Sequence, residues 1–369
     1  MLKINKITVY TIEKPFEKPL QNAVYKLYGA RHIFVELEAE GIKGIGEVIC
    51  FEEDQAKAFC AYIESMKDRI LGQDARYSKK IWKNLYISMS GIGHSGLSMQ
   101  ALGAVDMALW DLNARALNTP VWRLLGGQRE ELPVYVTGGW LGTDEELVNE
   151  ALGYQKAGYT RFKMKLGKRD WREDIARIKL VLEACGEAFE VMVDINQGWD
   201  VKTCLRAAPY LEELGVTHLE EPVYAMNYEE QRFIKERVRM DVVAGEKLYG
   251  LNETSELLMR KCVDKMNPDL VRCGGITGYM EVLAVADVCH IPVSSHAYPY
   301  FSVPCIAAAF AGEMAEIIPT WDQGVFAEDF AVINGLHKLN QSPGFGCELS
   351  EKALHEWCVS KSVFMNHMF

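Results

Sequence analysis

The sequence predicts an α/β protein, a parallel barrel of eight β/α units preceded by a smaller α+β domain. Three observations carry this. The first 50 or so residues alternate between apolar and polar side chains as β-strands do. From about residue 130 the pattern changes to short apolar runs separated by amphipathic stretches of helix length, which favours a parallel sheet with helices outside it. Finally, Asp194, Glu220, Glu246, Asp269 and His296 end successive apolar runs, at gaps of 26, 26, 23 and 27 residues. That gap matches one strand, one helix and two loops. In a barrel of such units all strands point the same way, so the five side chains converge on one mouth, where barrel enzymes keep their active sites.

Residues 1–125 form the predicted α+β domain. KITVYTI (6–12) and HIFVELEAEGIKGIGEV (32–48) read as strands, with a turn at GIKG (41–44). Between them, Lys14 to Arg31 reads as a long connection rich in polar and aromatic residues, and loops of that length are more often functional than idle. Residues 54–125 read as helices. The clearest is SMQALGAVDMALWDLNARALN (98–118), its end marked by Asn118 and Pro120.

Residues 126–330 form the predicted barrel. Its candidate strands are 133–137, 160–165, 190–194, 216–220, 241–246, 264–269, 291–295 and 315–320. Amphipathic stretches such as REDIARIKLVLEAC (172–185) and TCLRAAPYLEELG (203–215) supply the intervening helices. Residues 331–369 are less regular and are expected to fold back onto the first domain.

Composition narrows the partners. The 369 residues are 49% apolar and 25% charged, ordinary for a soluble globular protein. The net charge is −11, with no Lys/Arg run, which argues against nucleic acid. No apolar run approaches the roughly 18 residues of a membrane span, and the N-terminal stretch lacks the apolar core of a signal peptide. The ten cysteines form no CxxC pair, so reduced thiols and a cytoplasmic location are expected. A small carboxylate remains a suitable substrate, because a metal and a few lysines can supply local positive charge.

The chemistry follows from residue types. One carboxylate at a strand end reads as a local salt bridge or a helix cap. Three on consecutive strands, Asp194, Glu220 and Glu246, repel one another unless a cation neutralises them. Oxygen donors without His or Cys suit a hard ion such as Mg2+. Glu220 is chosen over Glu221 because it keeps the spacing. Lys163 and Lys165 share one face of the second strand, where they depress each other's pKa and one can become a general base. Asp269 and His296 end neighbouring strands, the Asp orienting the imidazole. Asp322 follows the eighth strand, 26 residues after His296, and reads either as a substrate hydrogen-bonding group or as a turn carboxylate. The stretch CGGITG (273–278) lacks phosphate-loop spacing and reads as a tight turn.

Together these segments resemble the enolase superfamily and, within it, the mandelate racemase subgroup. The resemblance rests on AVDMALWDLNARALNTPVWRLLGG (104–127), the KMK strand, VDINQGW, LEEP, AGEKLYG, NPDLVRCGGITG, SSHAYPY and SPGFG. It implies a capping domain over a modified (β/α)8 TIM barrel, (β/α)7β-like, with Mg2+ bound by Asp194, Glu220 and Glu246. It also implies Lys165 as a base with Lys163 beside the substrate carboxylate, and His296 as the second base, oriented by Asp269. Asp322 falls where the subgroup has a Glu that donates a hydrogen bond to the enediolate. The capping-domain loop, roughly residues 16–32, sets specificity, and Tyr25, Tyr28 and Arg31 there are candidate substrate contacts or interface residues. The resemblance further implies a homo-oligomer, a dimer or octamer.

Both lines lead to Mg2+-assisted removal of the α-proton of a hydroxy acid. Dehydration of an acid sugar to a 2-keto-3-deoxy acid is favoured, because a His–Asp pair can act as both acid and base. Racemisation or epimerisation is the alternative outcome. A barrel metal-dependent hydrolase would need histidines near the end of the first strand, where TGGW (137–140) has none. A non-catalytic binding relative would have lost ligands or bases that are all present.

Overall fold

The structure, a computed structural model, describes residues 1–168 and 170–366. The N-terminal strands β1 (Lys6–Gln21), β2 (Lys26–Ala39) and β3 (Ile42–Cys50) pair antiparallel in sequence order. The predicted loop from Lys14 to Arg31 is instead part of a long hairpin. Lys14 pairs with Ala30, Pro15 with Gly29 and Gln21 with Lys26, with a register shift between Pro15 and Leu20. Gly29 permits this close pairing, because a Cβ there would lie 2.8 Å from the Lys14 carbonyl oxygen. The next turn falls at Glu40–Gly41, both at positive φ (53° and 79°), and Ala39 pairs with Ile42 across it. A two-residue turn with both φ positive matches strand twist, so GIKG mostly continues into β3.

The helix Leu97–Ala116 is buried on nearly every face, because it separates the capping sheet from the barrel. On the sheet side, Cβ atoms at Gly44 and Gly46 would collide with the helix backbone at Ala108 and Ala104. On the barrel side, a Cβ at Gly103 would lie 2.8 Å from Val271. The turn read from CGGITG lies on this side, where Asp106 accepts from the Thr277 backbone N–H and hydroxyl, each at 2.8 Å.

The barrel strands are β4 (Glu131–Gly138), β5 (Arg161–Lys165), β6 (Glu190–Asp194), β7 (His218–Glu220), β8 (Asp241–Ala244), β9 (Lys265–Met266), β10 (Val293–Ser294) and β11 (Gly312–Ile317). They lie side by side in chain order, and β11 pairs with β4 to close the ring. Tyr135, Met192 and Met314 form a separate buried cluster, a small apolar packing unit distinct from the main core. The strands β9 and β10 are short, but a parallel bridge between Asp269 and His296 carries their pairing one step further. Beyond the ring, β12 (Leu336–Lys338) pairs antiparallel with β4, and β13 (Cys358–Met365) pairs antiparallel with β1. Among the described residues no helix is long and apolar enough to cross a membrane.

Gly46→Ala tests the helix–sheet contact. Its Cβ has no room against helix backbone that cannot swing away, so the substitution should lower stability by about 1–3 kcal/mol, measured by urea unfolding.

Candidate active site

Asp194 and Glu220 end their strands, and Glu246 lies two residues past β8. One ligand oxygen from each lies within 4.8 Å of the other two, and all three side chains are buried. The chain turns sharply just past Asp194, Glu220 and His296. Asn196 and Gln197 (φ 46° and 66°), Glu221 (37°), and Ala297 and Tyr298 (49° and 50°) all adopt left-handed conformations. Non-glycine residues held in that region cluster at functional sites.

The lysine pair reaches the cluster at two depths. Lys163 is fully buried, with Nζ 2.7 Å from both Glu220 and Glu316. Lys165, one alternation further along β5, donates to Asp194 Oδ2 at 2.5 Å and lies over the Trp140 ring at 5.3 Å. Burial lowers the pKa of both lysines, but their carboxylate partners more than offset it and the net shifts are upward. The sequence predicts a downward shift from mutual repulsion. Lys163 does pull Lys165 down, but the ion pair with Asp194 outweighs it.

On the other side, His296 Nδ1 lies 2.7 Å from Asp269 Oδ2, and Nε2 lies 3.4 Å from Glu246 Oε2. Burial lowers the His296 pKa, while Glu246 and the Asp269 hydrogen bond raise it, for a net rise. Lys165 and His296 therefore touch different members of the carboxylate cluster, Asp194 and Glu246. His218 sits 3.2 Å from Glu220 Oε2. Burial and then Lys163 hold its pKa down at about 3.

Three predicted site residues lie elsewhere. Asp322 is not at the mouth. The strand β11 ends at Ile317, so Asp322 belongs to the next short helix. There burial, then Glu47, pushes its carboxyl up to about 7, with His32 and Lys14 opposing the rise. The strand-eight carboxylate at the site is Glu316, which accepts from Thr137 Oγ1 at 2.6 Å and from the Ala297 N–H at 2.9 Å. Burial raises its pKa, but Lys163, His296 and Lys165 more than offset this and hold it at about 2. Its signal was a lone acid inside the apolar run AEII, 20 residues after His296. Tyr28 is 69% exposed beneath Lys26, because the hairpin alternation turns it to solvent. Arg31 is taken up by Glu13 and the Phe51 carbonyl, each at 2.6 Å. Tyr25 lies at the hairpin tip, where its backbone N–H donates to Asn22 Oδ1 at 2.9 Å. Lys247, overlooked in the sequence, pairs with Glu246 at 2.5 Å.

Comparison with known proteins agrees with this fold. Residues 146–353 match the enolase C-terminal domain-like family, and residues 6–126 match the mandelate racemase/muconate lactonizing enzyme N-terminal domain. The chain belongs to the mandelate racemase group of the enolase superfamily. The L-talarate/galactarate dehydratase of Salmonella typhimurium is 29% identical over 323 residues, covering 85% of this chain and 79% of its own. Its crystal structure with Mg and L-lyxarohydroxamate superposes with a TM-score of 0.94 at 26% identity, covering 99% of this chain and 95% of that one. The N-succinyl-L-Arg/Lys racemase of Bacillus cereus is 28% identical, covering 98% of this chain and all of its own. Named relatives in this superfamily are thus dehydratases and racemases, that is, lyases and isomerases.

The donor set of this superfamily member fits Mg2+. All three candidate ligands offer oxygen, and Glu220 Oε1 is buried without a hydrogen-bond partner, leaving a lone pair for a hard cation. Mg2+ should raise Tm in proportion to the logarithm of its concentration above Kd, and Glu220→Gln should abolish the rise in a thermal scan. Asp269→Asn removes one of the interactions that raise the His296 pKa. Its imidazole should then titrate lower than in the parent, followed by NMR in the metal-free protein.

Proposed function

We propose that this protein dehydrates an acid sugar to a 2-keto-3-deoxy acid, beginning with removal of the proton α to the carboxylate. The observation that carries the reading is that Lys165 and the His296–Asp269 pair touch different carboxylates of the cluster, Asp194 and Glu246. Mg2+ is the cofactor, held by Asp194, Glu220 and Glu246, and when bound it supplies the positive charge that stabilises the anion left by proton removal.

The chain's own groups do the rest. Lys163, locked between Glu220 and Glu316, adds fixed positive charge beneath the site. His296, or Lys165 once its own proton has left, takes the α-proton. For dehydration, the imidazolium of His296, oriented by Asp269, gives a proton to the β-hydroxyl. The C–O bond breaks, water leaves, and the resulting enol tautomerises to the 2-keto acid. The similarity to a talarate/galactarate dehydratase supports a polyhydroxy acid as substrate.

One assay tests the reaction and another the roles. A panel of mono- and diacid sugars is incubated with Mg2+, and 2-keto acids are read by semicarbazide absorbance. A turnover-dependent signal is expected. If the only product in D2O is α-deuterated, undehydrated substrate, the dehydratase reading fails and epimerisation takes its place, which the same two-base arrangement also permits. Lys165→Ala and His296→Ala should each lower kcat by about 100-fold or more. Full proton exchange in the double variant would overturn the two-base assignment.

A further inference from the structure

The tip of the β1–β2 hairpin is tied to the candidate metal site by one chain of hydrogen bonds. Asn22 organises the turn, its Oδ1 accepting from the Val24 and Tyr25 N–H groups, each at 2.9 Å. Its own N–H donates to the Tyr25 carbonyl at 3.1 Å. That leaves the amide nitrogen of Asn22 to donate to Asn196 Oδ1 at 2.9 Å. Asn196 in turn donates its side-chain N–H to Asp194 Oδ2 at 3.0 Å and its backbone N–H to Asp194 Oδ1 at 2.8 Å. Both asparagines are 2% exposed, so water does not compete for these bonds.

The hairpin tip also has a shaped seat. A Cβ built at Gly167 or at Gly198 would approach the Ala23 methyl to 2.5 Å, so both glycines leave room for Ala23. The Leu141 N–H donates to the Gln21 carbonyl at 2.8 Å, and Lys18 pairs with Glu146 at 2.6 Å. Among the described residues, four contacts therefore hold the tip down, and of these four only the Asn22 contact continues to a candidate metal ligand.

We propose that Asn22 is a positioning residue that couples seating of the hairpin tip to the orientation of the Asp194 carboxylate. The direction of each bond makes the coupling specific. Because Asn22 donates, Asn196 must present its oxygen to the hairpin and its NH2 group to Asp194. A flipped Asn196 would set its oxygen against the carboxylate. Closure of the hairpin thus selects the Asn196 orientation that aims Asp194, and by linkage a cation held by Asp194 favours the closed hairpin to the same extent. Partners one step behind a metal ligand typically change affinity by about 10–100-fold when removed. The inference rests on Asp194 holding the cation.

The test uses the metal-free full-length protein titrated with Mg2+ by calorimetry, with no substrate present. Asn22→Asp keeps the turn-organising oxygen but loses the donor to Asn196. Asn22→Ser keeps a shorter acceptor without adding charge. Both variants should bind Mg2+ about tenfold more weakly, and the added negative charge of Asn22→Asp works against that loss rather than for it. In the parent, Mg2+ should slow hydrogen exchange at the Val24 and Tyr25 amides, and both variants should lose this slowing. Asn22→Ser combined with Asn196→Ser should cost no more affinity than the worse single change. Parent-like Mg2+ affinity in both single variants, or additive losses in the pair, would overturn the coupling. Asp194→Ala separates the two readings. If it leaves Mg2+ binding intact, the metal assignment has failed. If it abolishes binding while the Asn22 variants bind normally, only the coupling has failed.

Discussion

Repulsion among buried carboxylates is the constraint around which the barrel mouth is organised. Ligand oxygens of Asp194, Glu220 and Glu246 lie within 4.8 Å of one another. With all three ionised and an effective dielectric of about 20, each pair at that distance would repel by about 3 kcal/mol, and burial together with Asp194 and Glu246 pushes the Glu220 carboxyl up to about 8. The chain answers with positive charge from strands on either side. Lys163 and Lys165 come from β5, His296 from just past β10, and Lys247 from beside Glu246 itself. None of these groups is a sequence neighbour of all three acids, so only closure of the ring brings compensation to the whole cluster. The charges that make the site reactive are the same ones that make it tolerable to bury.

The capping domain completes this site rather than merely covering it. Its sheet is joined to the barrel through the helix Leu97–Ala116, whose close approach depends on Gly44, Gly46 and Gly103 lacking side chains. That packing sets where the β1–β2 hairpin can reach. The hairpin then brings Asn22 to Asn196 at the mouth while turning Tyr28 to solvent. The displaced Asp322 belongs to this interdomain layer too, near His32, Glu47 and Lys14, where its role is that of a buried acid between domains.

The barrel and its eight strand positions were legible because apolar runs at near-constant spacing survive any detail of packing. The same spacing located Asp194, Glu220, Glu246, Asp269 and His296, and alternation put Lys163 and Lys165 on one face. Extrapolating the spacing to the last strand failed. It counted 26 residues past His296 to Asp322, but β11 ends at Ile317 and its inward acid is Glu316. The capping hairpin was misread for a related reason. A stretch rich in polar and aromatic residues suggested a loop, while pairing with β2, made possible by Gly29, kept the chain extended.

The sequence by itself determined the order of units, the residues able to carry charge at the strand ends and the family to which the chain belongs, because spacing and residue type are properties of the chain alone. The tertiary structure decided which of two nearby acids faces the barrel mouth, which way the lysine pKa values move, and that Asn22 bonds to Asn196. Each of these depends on distances between strands far apart in sequence, and those distances are set only when the ring closes and the capping domain packs against it.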